Sequence, residues 1–99
     1  IPVRFQLRHP TLQPNQKAFL IGGLSELGNW DQKLALEMTS TSPGVFVRDV
    51  FVPPRAIFEF KFFIKEGGKT TWQDGENTFA EVLAEASATF SVSWSHSGR

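Results

Sequence analysis

The sequence predicts an all-β protein, an antiparallel immunoglobulin-like β-sandwich of about seven strands. Short runs of alternating apolar and polar residues recur along the chain, and turn residues separate them about every 8 to 12 positions. No segment between these runs is long enough for the crossover helix that neighbouring parallel strands require. The 99 residues, of which 40% are hydrophobic, suit one domain around one core.

The first two predicted strands lie before a pair of glycines. Residues 3–8 alternate strictly, so that Val3, Phe5 and Leu7 share one buried face. Prolines mark the turn that follows, because proline cannot occupy a central strand. Residues 17–21 then form the second strand, which the glycine pair ends.

A long connection rich in turn residues follows the second strand. Ser25 is a candidate cap for one helical turn over residues 25–27. Residues 34–38 favour a brief strand. Residues 39–44 are polar and end in a Pro-Gly pair, which predicts a loop.

The middle of the chain carries the two clearest strands. Residues 45–52 are β-branched and aromatic, and two prolines end the run. Residues 57–65 alternate so regularly that both faces can be assigned. The inward face holds Phe58, Phe60, Phe62 and Ile64, and the outward face holds Glu59, Lys61, Phe63 and Lys65.

The last third of the chain predicts strands that complete the sandwich. Residues 70–73 return antiparallel across a hairpin, and residues 78–85 fit either a loop or a short strand. Residues 87–94 alternate again, with their apolar side chains inward. We therefore expect one domain over residues 1–95 and a flexible tail over residues 96–99.

Composition narrows the classes of partner. The net charge is +0 with a pI near 6.9, which argues against nucleic acid, because phosphate binding needs clustered Lys and Arg. No polybasic run or long apolar segment indicates a membrane role. The chain has no cysteine, which allows a reducing compartment and leaves secretion open. We expect a monomer.

The sequence offers no constellation typical of catalysis. His9 and His96 lack metal-ligand partners at short spacing, and the serines lie on outward strand faces or in turns with no nucleophile elbow. Carboxylate pairs are hard to tune for glycoside hydrolysis in a sandwich of this size without a deep cleft. We predict no catalytic residue, no metal ion and no cofactor.

Two of the three tryptophans point to a ligand. Trp94 alternates with inward residues and is interpreted as core, whereas Trp30 and Trp72 each adjoin a turn. The latter two either plug the open end of the sandwich or form an exposed pair, which is unfavourable unless it binds something. Exposed indoles offer a flat apolar platform for the C–H face of a sugar, at ~25 cal/mol per Å² of apolar area buried.

Polar residues near Trp72 suit the hydroxyl edge of a sugar. Lys61 can donate to vicinal hydroxyls, and the amides of Gln73 and Asn77 can both donate and accept. Structural roles remain open beside these. Lys61 could be an exposed strand lysine paired with Glu59, and Asn77 could be a turn residue.

Six short segments in a fixed order carry a resemblance to a known family. They are residues 19–23, 27–31, 35–36, 58–62, 72–73 and 76–77, read as FLIGG, LGNWD, AL, FEFKF, WQ and EN. Together they resemble the starch-binding domain, carbohydrate-binding module family 20. The Leu-Gly-x-Trp motif, the aromatic-x-Lys-Phe strand and the later Trp and Asn, in this order, are specific, and the likeness covers nearly the whole chain.

The resemblance implies a non-catalytic sandwich that binds α-1,4-glucans: starch, glycogen, maltooligosaccharides or cyclodextrin. It assigns the binding site to Trp30, Lys61, Trp72 and Asn77, with Gln73 where the family commonly has Glu. It also implies covalent linkage to a larger starch- or glycogen-active protein, which the module targets to the polysaccharide.

The chain departs from the family at a second site that often uses two tyrosines. It has no Tyr; Phe19 falls near one of those positions, so the resemblance implies a weak or missing second site. Two other functions stay open: a protein-interaction sandwich using the same aromatic patch, and a small glycan hydrolase.

Overall fold

The computed structural model describes residues 1–9, 12–73, 75–82 and 88–94, which form two packed sheets. The predicted tail, residues 96–99, lies outside them. The strands are β1 (Pro2–Arg8), β2 (Gln16–Gly22), β3 (Leu36–Glu37), β4 (Thr39–Ser42), β5 (Val45–Phe51), β6 (Ile57–Glu66), β7 (Lys69–Trp72), β8 (Thr78–Glu81) and β9 (Ala88–Ser93). Two short 3-10 helices span Ser25–Leu27 and Gln32–Leu34.

The predicted sandwich is confirmed, with nine strands in the described part of the chain rather than about seven. One sheet has the order β4-β5-β1-β9, and the other has the order β3-β2-β6-β7, with β8 also paired to β6. The loop predicted over residues 39–44 is wrong at its start, because Thr39–Ser42 pairs with β5. All four residues of this edge strand are exposed, so no apolar alternation marks it in the sequence.

One pair of strands departs from the predicted antiparallel arrangement. β1 and β9 run parallel, in a register from Val3 opposite Ala88 to Arg8 opposite Ser93. Parallel neighbours need a long connection. Here nearly the whole chain supplies it, so no crossover helix is required.

Phenylalanine rings from both sheets form the centre of the core. The inward face assigned to β6 is confirmed, since Phe58, Phe60 and Phe62 are at most 5% exposed. The Phe5 ring of the opposite sheet meets Phe60 edge-on, with centroids 5.0 Å apart. Trp94 packs half-buried against this core. Truncating one such buried ring costs ~3–5 kcal/mol, so this cluster holds the two sheets together.

The outer faces of the two sheets differ in character. On the first sheet Arg4 and Asp49 are directly opposed, with Nε 2.8 Å from Oδ1. The hydrogen bond from Arg4 lowers the pKa of the Asp49 carboxyl. On the second sheet, Ile21 and Phe63 point away from the sandwich interior yet are 0% and 1% exposed. Neighbouring side chains therefore cover Ile21 and Phe63 on this outer face.

The connection after β2 is anchored by a buried leucine. Leu27, at the end of the first 3-10 helix, is 0% exposed and joins the core. The expected cap is wrong, because Leu24 occupies the N-cap position and no side chain caps the helix. Ser25 Oγ lies 3.1 Å from a carboxylate oxygen of Glu26 instead. Burial of Leu27, rather than capping, fixes this turn.

We expect Gly22→Ala to destabilise the fold by ~1–3 kcal/mol through overpacking. A Cβ at this position would lie 2.6 Å from Leu27 Cδ1 and 2.8 Å from the backbone oxygen of Glu59. Gly68→Ala is the matched control, because a Cβ there meets nothing within 4 Å. Urea denaturation measures both, and equal midpoints for the two variants would contradict the prediction.

Candidate functional site

A row of three aromatic side chains crosses the outer face of the second sheet. Phe19 and Trp72 lie on either side of Phe63, each directly opposite it in the strand register. The Phe19 and Phe63 rings stack with centroids 5.2 Å apart, and the Phe63 and Trp72 centroids are 4.9 Å apart. Phe63 is thus covered, whereas Trp72 remains 36% exposed. Trp72 rests against Phe63 and keeps part of its ring in solvent.

This row also places Phe19, the candidate for a weak second site. Phe19 is half-buried and lies parallel to Phe63, at an interplanar angle of 10°. It belongs to the same surface as Trp72, not to a separate face of the sandwich.

Trp30 reaches the same outer face from the loop after β2. Gly28, Asn29 and Trp30 have φ angles of 83°, 51° and 65°, three consecutive residues in the left-handed region. This conformation is uncommon for a bulky residue and costs of order 1–3 kcal/mol. The Trp30 amide donates to Gly22 O at 3.0 Å, which holds the loop closed.

The Trp30 indole lies over Gly23 at the end of β2. A Cβ on Gly23 would come within 3.1 Å of Trp30 Nε1, so glycine permits the close approach. Gly23 donates its amide to Glu59 O, which locates the ring beside the first half of β6. The indole is 41% exposed.

A break in the sheet edge between β7 and β8 opens beside these rings. Both strands pair with the same edge of β6, β8 with Ile57–Phe60 and β7 with Phe63–Glu66. Gln73 fills the gap. Its backbone N–H donates to Phe62 O at 3.1 Å, and its side-chain Oε1 accepts from Phe62 N at 3.3 Å. The side chain of Gln73 thus continues the strand ladder for one residue.

Burial limits what Gln73 can offer a ligand. Gln73 is 8% exposed, and its side-chain oxygen already accepts the Phe62 amide. Sequence spacing suggested a residue that contacts the ligand. Ligand contact by Gln73 stays a prediction, and in the structure this side chain holds the loop that follows Trp72.

Two more predicted residues are brought together on the outer face. Lys61 Nζ donates to Gly75 O at 2.7 Å, and Asn77 Nδ2 donates to Glu59 Oε1 at 3.0 Å. The alternative pairing of Lys61 with Glu59 is therefore not the one seen. Each of the two predicted residues fixes part of the turn and keeps further polar atoms, since an ammonium has three donors and an amide oxygen remains on Asn77.

The layout follows from the register of β6. Glu59, Lys61 and Phe63 succeed one another on its outer face, about 7 Å apart at each step. Trp30 lies beside the Glu59 end on the β2 side, and Trp72 lies beside Phe63 on the β7 side. Lys61 therefore stands between two exposed indoles on one face.

Within the described ranges, no group of three His, Asp or Glu side chains could hold a metal ion. No helix there is long and apolar enough to cross a membrane. The site consists of aromatic faces with one ammonium, one amide and one carboxylate group beside them.

Comparison with known proteins places this sandwich in the class of carbohydrate-binding modules. The starch binding domain family matches residues 1–92. The chain belongs to that family, and the resemblance drawn from its sequence is confirmed.

Individual relatives support the same assignment. The chain is 35% identical over 99 residues to a cyclomaltodextrin glucanotransferase of Bacillus sp. (strain 38-2), covering 95% of this chain and 14% of that protein. The gamma-cyclodextrin glucanotransferase from alkalophilic Bacillus clarkii superposes with a TM-score of 0.87 at 32% identity, over 96% of this chain and 15% of that chain. The chain thus spans about one seventh of the length of these relatives.

A solved structure of similar size also matches. The family 20 carbohydrate-binding module of a maltotetraose-forming amylase from Pseudomonas saccharophila STB07 superposes with a TM-score of 0.75 at 26% identity. The match covers 91% of this chain and 100% of that one.

We expect Gln73→Met to lower the free energy of unfolding by ~1–3 kcal/mol, because the buried Phe62 amide loses its acceptor. Gln13→Met is the matched control, since it makes the same substitution at an exposed glutamine. Urea denaturation at neutral pH compares the two. A Gln73→Met variant as stable as the wild type would contradict the role of Gln73 in the ladder.

Proposed function

We propose that this domain binds α-1,4-glucan by stacking glucose units on Trp30 and Trp72. The observation that carries the proposal is the pair of exposed indoles on one face, 41% and 36% exposed, with Lys61 between them. Membership of the starch binding domain family sets the class of ligand.

Stacking explains why two such rings remain in solvent. A glucose ring has an apolar C–H face that loses water together with the indole face, which is worth one to a few kcal/mol per ring at ~25 cal/mol per Å². Trp30 comes from the loop after β2 and Trp72 from β7, on opposite sides of β6. Successive glucoses of a curved α-1,4 chain turn, so separate platforms suit successive units.

Hydroxyl recognition falls to the polar side chains beside the rings. Lys61 donates one hydrogen bond to Gly75 O and keeps two donors for vicinal hydroxyls. Asn77 is oriented by Glu59 and offers its amide oxygen as an acceptor. Gln73 supports this arrangement by holding the loop, and Phe19 supports Trp72 through Phe63.

The proposed role is targeting, without catalysis by this domain. The matched glucanotransferases are about seven times longer than the matched segment, so the domain is proposed to be linked to a larger glucan-active protein. Linkage converts a weak site into a high local concentration of the attached partner. A shallow site of this kind binds short oligosaccharides at a Kd of ~10 µM to 1 mM, and the domain acts as a monomer.

Isothermal titration with β-cyclodextrin tests the proposal. We expect Trp30→Ala and Trp72→Ala each to raise Kd by about tenfold or more, which corresponds to ~1.4 kcal/mol. Phe51→Ala is the control, because Phe51 is 77% exposed on the other sheet. Urea denaturation checks that each variant folds.

Three results would contradict the proposal. The first is unchanged cyclodextrin affinity in either folded tryptophan variant. The second is a wild-type domain that neither binds cyclodextrin nor sediments with granular starch, which would favour a protein partner for the same patch. The third is release of new reducing ends from maltoheptaose, which would indicate a hydrolase.

Lys61→Met removes the ammonium and keeps most of the apolar stem. We expect Kd for β-cyclodextrin to rise by about three- to tenfold, because a hydrogen bond at a solvent-exposed site contributes ~0.5–1.5 kcal/mol net. Lys65→Met is the matched control from the same face of β6. Equal affinities for the two variants would show that Lys61 serves only to hold Gly75.

A further inference from the structure

Phe79 is an exposed ring on the same outer face that the sequence did not single out. It lies in β8 directly opposite Glu59 and is 61% exposed, more than either Trp30 or Trp72. A ring this exposed at the centre of a short edge strand contributes little to the core. Its segment, ambiguous between loop and strand in the sequence, gave no sign of which way the side chain points.

A polar groove adjoins Phe79. Glu59, Glu76, Asn77 and Phe79 line a cavity of about 500 Å³. Carboxylate oxygens accept hydrogen bonds from hydroxyl pairs, the amide both donates and accepts, and the ring offers an apolar face. These are the chemical groups that one further sugar unit needs.

The groove is continuous with the site already described. Asn77 and Glu59, joined by their 3.0 Å hydrogen bond, line the groove and also flank Lys61. Gly23 under Trp30, Glu59 and Phe79 lie in one row across the sheet, because Gly23 bonds Glu59 O and Glu59 pairs with Phe79. Along β6 the partners of Phe79 and Trp72 are four residues apart, which is about 13 Å.

We propose that Phe79, Glu59 and Glu76 form an additional subsite that takes the continuation of a linear α-glucan beyond Trp30 and Trp72. The inference rests on the proposed function. A sugar fits this groove better than an apolar protein surface, because apolar side chains would desolvate the carboxylates of Glu59 and Glu76, whereas sugar hydroxyl groups can donate hydrogen bonds to them. The additional subsite makes the affinity for a linear α-glucan depend on the number of its glucose units.

The test compares a long and a short ligand on the 99-residue chain. Phe79→Ala is expected to raise Kd for maltoheptaose about fivefold and to leave Kd for maltose unchanged, because a disaccharide is too short to contact both tryptophans and Phe79 at once. Phe79→Thr is expected to behave in the same way, and its β-branched side chain keeps the strand propensity of β8. Titration calorimetry serves for maltoheptaose and tryptophan fluorescence for maltose.

Phe51→Ala is the matched control, since it removes an exposed phenylalanine from the other sheet, 77% exposed against 61% for Phe79. Unchanged maltoheptaose affinity in folded Phe79 variants would overturn the proposed subsite. Phe79 would then be a candidate for contact with another protein. Equal weakening of maltose and maltoheptaose would also overturn it, because that result indicates a general disturbance. In both cases loss of binding in the tryptophan variants would still support the proposed function, whereas a wild-type chain that binds neither sugar would refute both.

Discussion

The structure depends on strand β6, whose side chains contribute to the core on one face of its sheet and to the candidate site on the other. Its inward phenylalanines hold the two sheets together, and its outward residues carry the candidate site. One edge of β6 pairs with β2 along most of its length, while the other edge is shared by β7 and β8 with a gap between them. The backbone groups of Phe62 at this gap are satisfied by Gln73, through its own amide and its side chain. Because the ladder is completed in this way, both backbone groups of Phe62 stay paired where the chain leaves the sheet after Trp72, before it returns in β8 at Thr78.

Much of the fold could be predicted because apolar and polar residues alternate within single strands, and this alternation is visible in the sequence. The faces of β6 follow from a period of two, and the arrangement of Trp30, Lys61 and Trp72 around it follows from turn positions and the family pattern. Features that depend on distant pairing could not be predicted. The parallel pairing of β1 with β9 joins the two ends of the fold, and β4 exists because β5 offers it an edge, not because its own residues alternate.

Side-chain direction at the edge of the sheet explains the other differences between the sequence predictions and the structure. Gln73 directs its side-chain oxygen to the edge of β6, where it accepts from the Phe62 amide, and the sequence does not reveal this contact. Phe63 was assigned outward and is outward, but it is buried because Phe19 and Trp72 flank it. Phe79 lies in a four-residue strand whose pattern is too short to give a phase. In each case the deciding fact is which neighbour covers the side chain.

The contact between Phe63 and Trp72 has a consequence for binding thermodynamics. An indole free to rotate would lose rotamer entropy when a ligand fixed it, and that loss would reduce affinity. Trp72 is already braced against a fully packed ring, itself braced by Phe19, and Trp30 is fixed by its backbone and by Gly23. The rotamer entropy of these two indoles is therefore lost when the chain folds, not when a ligand binds. Under the proposed function, a sugar would meet rings that are already ordered, so that its weak contacts would retain most of their intrinsic strength.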